Sequence, residues 1–262
     1  MVLELCETDL HRVSYDIYIT LSLGQKKGIV LMLFNALSFM HSKRILHRDI
    51  KPSNILIDKN GVIKLADFGN SVVKYMADDL FFEGSRIEMP DNMTTLWYQA
   101  PEILLGDRFY SFPVDSWSAG CAIMELWQRR PFLNGIDVPS QINLIMDLCG
   151  SFSPYKCHDF RNLKHTLNLK LQKNQSDKYK EKILSVVIDE YAYDFIKNLL
   201  NISPNERLDA HAALKHKFLT FCSFKFRSFP LPDPNLIEII SAHIYNTLNK
   251  QPKTENFILL TD

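Results

Sequence analysis

The chain has 262 residues, 46% of them hydrophobic, enough for one large domain or two small ones around a packed core. Its 30 basic and 30 acidic side chains balance, which excludes a general electrostatic attraction to nucleic acid or to an anionic membrane. Five cysteines without a C-x-x-C pair fit neither a disulfide framework nor a zinc site.

Met1-Val-Leu-Glu-Leu5 reads as a short apolar strand, and the acidic Glu4, Glu7 and Asp9 around it exclude a secretory leader. The longest early apolar run, Ile29 to Phe34, is far short of the roughly 20 residues that span a bilayer. The expected location is inside the cell, in nucleus or cytoplasm. Gly28 precedes Ile29, Val30, Leu33, Leu37 and Met40, a stripe that predicts an amphipathic helix ending near His41.

Ile55-Leu-Ile57 and Val62-Ile-Lys-Leu65 are β-rich runs, and the Asn-Gly step of the intervening Asp58-Lys-Asn-Gly61 predicts a hairpin with a loop on either side. Val114 to Trp127 is apolar nearly all round, which predicts a helix buried at the centre of a helical domain. Lys164 to Lys182 turns polar and reads as a surface insertion. Helical patterns return at Tyr193 to Leu200, Ala210 to Leu214 and Leu236 to Leu248, the last set apart by Phe229-Pro-Leu-Pro-Asp-Pro234.

The chemistry concentrates in the loops flanking the hairpin, His47-Arg-Asp-Ile-Lys-Pro-Ser-Asn54 before it and Asp67-Phe-Gly69 after it. Any one of these polar residues alone reads as a turn cap. Together they match the catalytic loop and metal-binding turn of the protein kinases. Phosphoryl transfer needs positioning and charge neutralisation more than covalent help. The match makes Asp49 the base for a substrate hydroxyl, Lys51 a cation for the transferred group, and Asn54 and Asp67 oxygen ligands for Mg²⁺ held with ATP. His47 reads as a core histidine supporting the loop. Arg48 reads either as a partner for a phosphate or acid or as a solvated arginine.

Thr94-Thr-Leu-Trp-Tyr-Gln-Ala-Pro-Glu102 resembles the end of a kinase activation segment, Val114-Asp-Ser-Trp-Ser-Ala-Gly-Cys121 the helix start that anchors the catalytic loop, and Pro204-Asn-Glu-Arg207 the source of an arginine that pairs with Glu102. With Leu148-Cys-Gly150 and the insertion after it, these strings resemble the serine/threonine protein kinases of the cyclin-dependent-kinase-like (CMGC) group over Met1 to Leu219. Leu3-Glu-Leu-Cys-Glu-Thr-Asp-Leu10 resembles that group's hinge. The resemblance implies backbone contacts to adenine from Glu4 and Cys6, a ribose contact from Asp9 and an apolar floor from Leu56; an ordinary strand end and a core leucine are the plainer reading.

No glycine-rich loop, Val-Ala-Ile-Lys strand or glutamate-bearing helix precedes the hinge. The expected fold is therefore mainly α, a kinase-like large (C-terminal) lobe with a short β-hairpin and the small β-rich lobe absent except for the hinge strand. Residues 1–219 would form the kinase domain truncated at the hinge, and 220–262 a tail with a helix. The implied function is ATP- and Mg²⁺-dependent phosphorylation of protein Ser/Thr, with a protein substrate, a cyclin-type subunit reached through the small lobe, and neither nucleic acid nor membrane. The alternatives are a pseudokinase-like binding module and an enzyme resembling the kinases that activate cyclin-dependent kinases. Pro90 falls where relatives carry a phosphorylated threonine, leaving Ser85 and Thr94 as other acceptors, and Gln99 replaces an arginine, which weakens the expectation of a Ser/Thr-Pro preference.

Overall fold

The structure, a computed structural model, describes residues 4–73, 95–151 and 176–220. Strand β1 (Thr8–Asp9) leads into α1 (Leu10–Tyr15), whose first turn is capped by the Asp9 side chain accepting from Arg12 N at 2.9 Å. Helix α2 (Leu23–Ser42) starts at a reciprocal cap between Ser22 and Gln25 and buries Ile29, Val30, Leu33, Phe34, Leu37 and Met40. It begins earlier than the apolar stripe predicts because the cap, and not the first apolar residue, sets its start.

Strand β2 (Ile45–Leu46) precedes the polar loop 47–54, and β3 (Ile55–Ile57) and β4 (Ile63–Leu65) form the predicted hairpin. Gly61, with φ of 75°, supplies the left-handed turn between them. Strand β5 (Val72–Val73) returns to pair with β2.

The expectation of a mainly α lobe with one hairpin, and a small β-rich lobe absent except for a hinge strand, is corrected. Strand β1 is hydrogen-bonded antiparallel to β3, giving a three-stranded sheet in the order β1-β3-β4, and β2-β5 forms a second sheet. The N-terminal residues are thus part of a sheet region. The apolar start does not form the predicted strand over its described part: Leu5 is 87% exposed, and pairing begins only where Glu7 N reaches Ile57 O at 2.9 Å. Cross-strand partners, which hydropathy cannot show, decide where the strand lies.

After the short α3 (Pro101–Leu104), α4 (Pro113–Gln128) runs through the centre and buries every side chain from Val114 to Leu126. Around it stand α5 (Val138–Cys149), α6 (Tyr179–Leu184), α7 (Glu190–Leu199), α8 (Ala210–Ala213) and α9 (Lys217–Thr220). Phe195 of α7 contacts Phe34 of α2 and Phe218 of α9, with ring centroids 5.3 Å apart in both pairs. The end of the predicted polar insertion lies at the surface, with Asp177, Lys180 and Glu181 exposed, but it forms the start of α6: Tyr179 is buried, and Lys178 and Lys182 both pair with Asp147. The rest of that insertion, the C-terminal helix, Ser85, Pro90 and Thr94 lie outside the described residues. Among the described residues no helix is long and apolar enough to cross a membrane.

Candidate active site

The loop between β2 and β3 is held from below by one carboxylate. Asp115, fully buried in the first turn of α4, accepts from His47 N at 2.9 Å through Oδ2 and from Arg48 N at 2.8 Å through Oδ1. Oδ2 also meets His41 Nε2 of α2 at 2.9 Å. This clamp sustains the left-handed backbone of Arg48, whose φ of 67° a non-glycine residue adopts at a cost. His47, fully buried, bridges the two loops: its Nδ1 accepts from Asp49 N at 3.3 Å, and its Nε2 donates to Ala66 O at 3.0 Å. That is the supporting role its apolar flank implies.

Arg48 is not a solvated arginine. It is 7% exposed, its Nη1 donates to the Tyr110 hydroxyl at 2.9 Å, and its Nε donates to Asn70 O.

Above this base Asp49, Lys51 and Asn54 converge. Asp49 is 5% exposed, and its Oδ2 accepts from Lys51 Nζ at 2.8 Å and from Asn54 Nδ2 at 3.1 Å. Asn54 Nδ2 also donates to Asp49 O at 2.9 Å. The amide nitrogen of Asn54 is thereby fixed on Asp49, and its carbonyl oxygen remains as an acceptor. Lys51 Nζ reaches onward to Thr95 Oγ1 at 3.3 Å. Carboxylate, ammonium and amide therefore form one hydrogen-bonded group.

Asp67 joins this group through the backbone, because Ala66 N donates to Asn54 O at 2.9 Å and places Asp67 one residue beyond that contact. Asp67 is exposed and held at φ 63°, ψ 70°, a second left-handed non-glycine residue beside the same loop. Its carboxylate and the Asn54 amide oxygen are the hard donors that suit Mg²⁺ shared with phosphates, so the residues present fit that ion. Among the described residues no cluster of three or more His, Cys, Asp or Glu side chains makes a closed metal cage.

Of the residues expected at the adenosine of a nucleotide, Glu4 and Cys6 precede β1, Asp9 ends it, and Leu56 lies on the neighbouring β3. Asp9 and Leu56 are direct cross-strand partners, and both β1 and α1 pack on the turn 52–54 that carries Asn54. Among the described residues no backbone hydrogen bond engages Glu4 or Cys6. The Glu4 side chain pairs with Lys64, and burial followed by the nearby Glu4 charge raises the Cys6 thiol above its ordinary value.

Three supports escape a reading of local strings: the His41–Asp115 contact, the Tyr110 hydroxyl on Arg48, and the buried Glu125, which accepts from Tyr15 and Tyr98. The usable signal for the first was a histidine at the end of the predicted amphipathic helix and an acid in the helix predicted to be buried.

The family model described as Protein kinase domain matches residues 1–219. Because that match runs from the first residue, it corrects the expectation of a large lobe alone. Human cyclin-dependent kinase 9 is 37% identical over 244 residues, covering 93% of this chain and 62% of that protein. The same-named protein of Xenopus tropicalis is 37% identical over 243 residues, covering 93% of this chain and 61% of its own length. The chain thus spans less than two thirds of these relatives. A solved structure of the yeast RNA Pol II CTD kinase CTDK-1 complex has a chain that superposes with a TM-score of 0.77 at 28% identity, covering 89% of this chain and 72% of that one.

Proposed function

Because the chain belongs to the protein kinase family, on its cyclin-dependent-kinase-like branch, we propose that it transfers the γ-phosphoryl group of ATP to serine or threonine of a protein substrate. The observation that carries this is the Asp49 carboxylate, buried at the head of a clamped loop with Lys51 and Asn54 both donating to Oδ2. That arrangement holds a base, aimed and shielded, next to a cation. Asp49 takes the hydroxyl proton, and Lys51 lies beside the group being transferred as a compact positive charge.

Asn54 and Asp67 would hold Mg²⁺, which when bound neutralises charge on the phosphates. Glu4 and Cys6 would present their backbones to adenine, Asp9 would meet the ribose, and Leu56 would support the base from below. Residues 1–219 would act as the catalytic domain, with 220–262 as a tail. A cyclin-type subunit is the proposed partner, by likeness to a cyclin-dependent kinase. The proposed location is inside the cell, with the nucleus favoured by likeness to a kinase described by its RNA Pol II CTD substrate.

The test is transfer of labelled phosphate from Mg-ATP to protein by the full chain and by Asp49→Asn. The variant keeps its circular dichroism and loses about 10² to 10⁴ in rate. Transfer by the variant at the wild-type rate would remove Asp49 from its role.

A further inference from the structure

Helix α4 carries a second buried carboxylate that the transfer chemistry does not use. Glu125 is fully buried, and both of its oxygens are engaged: Oε2 accepts from Tyr15 OH at 2.9 Å and Oε1 from Tyr98 OH at 2.8 Å. Burial is the largest influence on it and raises its pKa, with the two phenols as the remaining influences and no cation among them. A hydrophobic side chain would fill the same space at less cost than an uncompensated carboxylate. What Glu125 contributes is the placement of the two tyrosines.

Those tyrosines belong to separate parts of the site. Tyr15 ends α1, the helix capped by Asp9 and packed on the turn that carries Asn54. Tyr98 closes the turn Leu96–Tyr98, and its carbonyl accepts from Ser118 Oγ of α4 at 2.7 Å. Thr95 heads that turn, and its hydroxyl accepts from Lys51 Nζ at 3.3 Å. The chain of contacts therefore runs from α1 through Tyr15, Glu125 and Tyr98 to a turn touching the catalytic lysine.

We propose that Glu125 is a positioning residue through which α1 sets the turn from Thr95 to Tyr98, so that the Tyr15 phenol, bonded to Glu125 and not to the turn, governs how a protein substrate seats beside Lys51. The substrate named here rests on the kinase reading; the coupling between α1 and the turn does not.

The experiment compares the full wild-type chain with Tyr15→Phe, Tyr98→Phe and Glu125→Gln. Hydrogen exchange at the amides of Tyr98 and Gln99, which donate to Thr95 O and Leu96 O at 3.2 Å each, reports on the turn without requiring activity. Tyr15→Phe is expected to speed exchange at these two amides about fivefold, the weight of one hydrogen bond, and to leave α7 amides unchanged. Unchanged rates at Tyr98 and Gln99, or equal acceleration in α7, would overturn the coupling. In transfer assays the KM for protein substrate rises by a similar factor in Tyr15→Phe and Glu125→Gln while that for ATP holds. Equal changes in both constants would overturn the seating role. A wild type that transfers no phosphate defeats the kinase reading, and the exchange rates still decide for or against Glu125.

Discussion

Arg207 and Glu102 meet in a buried fork-to-fork pair, Nη1 to Oε1 at 2.7 Å and Nη2 to Oε2 at 2.9 Å, joining residues 105 positions apart. Arg207 further donates from Nε to Asn201 O at 2.9 Å and from Nη1 to Pro113 O at 3.0 Å, and its guanidinium lies 5.1 Å from the centroid of the Trp117 ring. These contacts tie the start of α3 to the start of α4 and to the loop before α8. Removing either partner leaves the other charge buried and alone. Arg207→Met and Glu102→Gln are each expected to lower unfolding free energy by about 3 to 5 kcal/mol, read by urea titration. The double variant should lose much less than the two single losses added.

Asp115 holds the loop that carries Asp49, and Asp115→Asn tests how closely. An amide side chain has one acceptor oxygen in place of two, so the His47 N–H or the Arg48 N–H must face an NH₂ donor. Leaving one buried donor unsatisfied costs about 1 to 3 kcal/mol. Because the released amide lies one or two residues before Asp49, the transfer rate should fall by a larger factor than denaturant stability implies. Parallel loss of rate and stability, with ATP and protein KM unchanged, would reduce Asp115 to a stability element.

The candidate group was legible because its members lie within short strings: Asp49, Lys51 and Asn54 share one loop, and Asp67 follows the hairpin that Asn60-Gly61 announces. The buried central helix was legible from apolarity nearly all round it. What lay beyond reach was pairing at long separation. His41 and His47 find Asp115 across 74 and 68 positions, and Tyr15 finds Glu125 across 110. In a run of letters Glu125 only interrupts an apolar helix. The N-terminal strand was misplaced for the same reason, since β1 forms where β3 offers partners and not where residues are most apolar.

Gly135 is a position where a methyl group has no room. A Cβ built there would stand 2.5 Å from Gln141 N and 2.6 Å from Gln141 Cα, both backbone atoms that cannot swing aside. The same segment holds Trp97, whose Nε1 donates to Gly135 O at 3.0 Å, while Gln141 Oε1 accepts from Gly135 N at 2.8 Å. Gly135→Ala should cost about 1 to 3 kcal/mol in urea unfolding. It should also loosen Trp97, seen as a change in tryptophan emission that Ser185→Ala, on an exposed site, does not produce.

Glu125 also makes stability depend on pH in a direction opposite to that of most carboxylates. Burial raises its folded-state pKa above that of the unfolded chain, and the hydrogen bonds from Tyr98 and Tyr15 only partly oppose the rise. The folded protein then binds more protons than the unfolded one between the two values, so stability falls as pH rises through that interval. The interval begins near the ordinary glutamate value, about 4.3, and extends upward to the raised one; above it the effect is constant. Glu125→Gln removes this titration. Urea midpoints for wild type and Glu125→Gln, measured across mildly acidic pH, should show the wild type losing ground to the variant as pH rises, then a fixed difference. A difference that is flat from the start would mean that Glu125 titrates alike in both states, and that the two phenols fully compensate its burial.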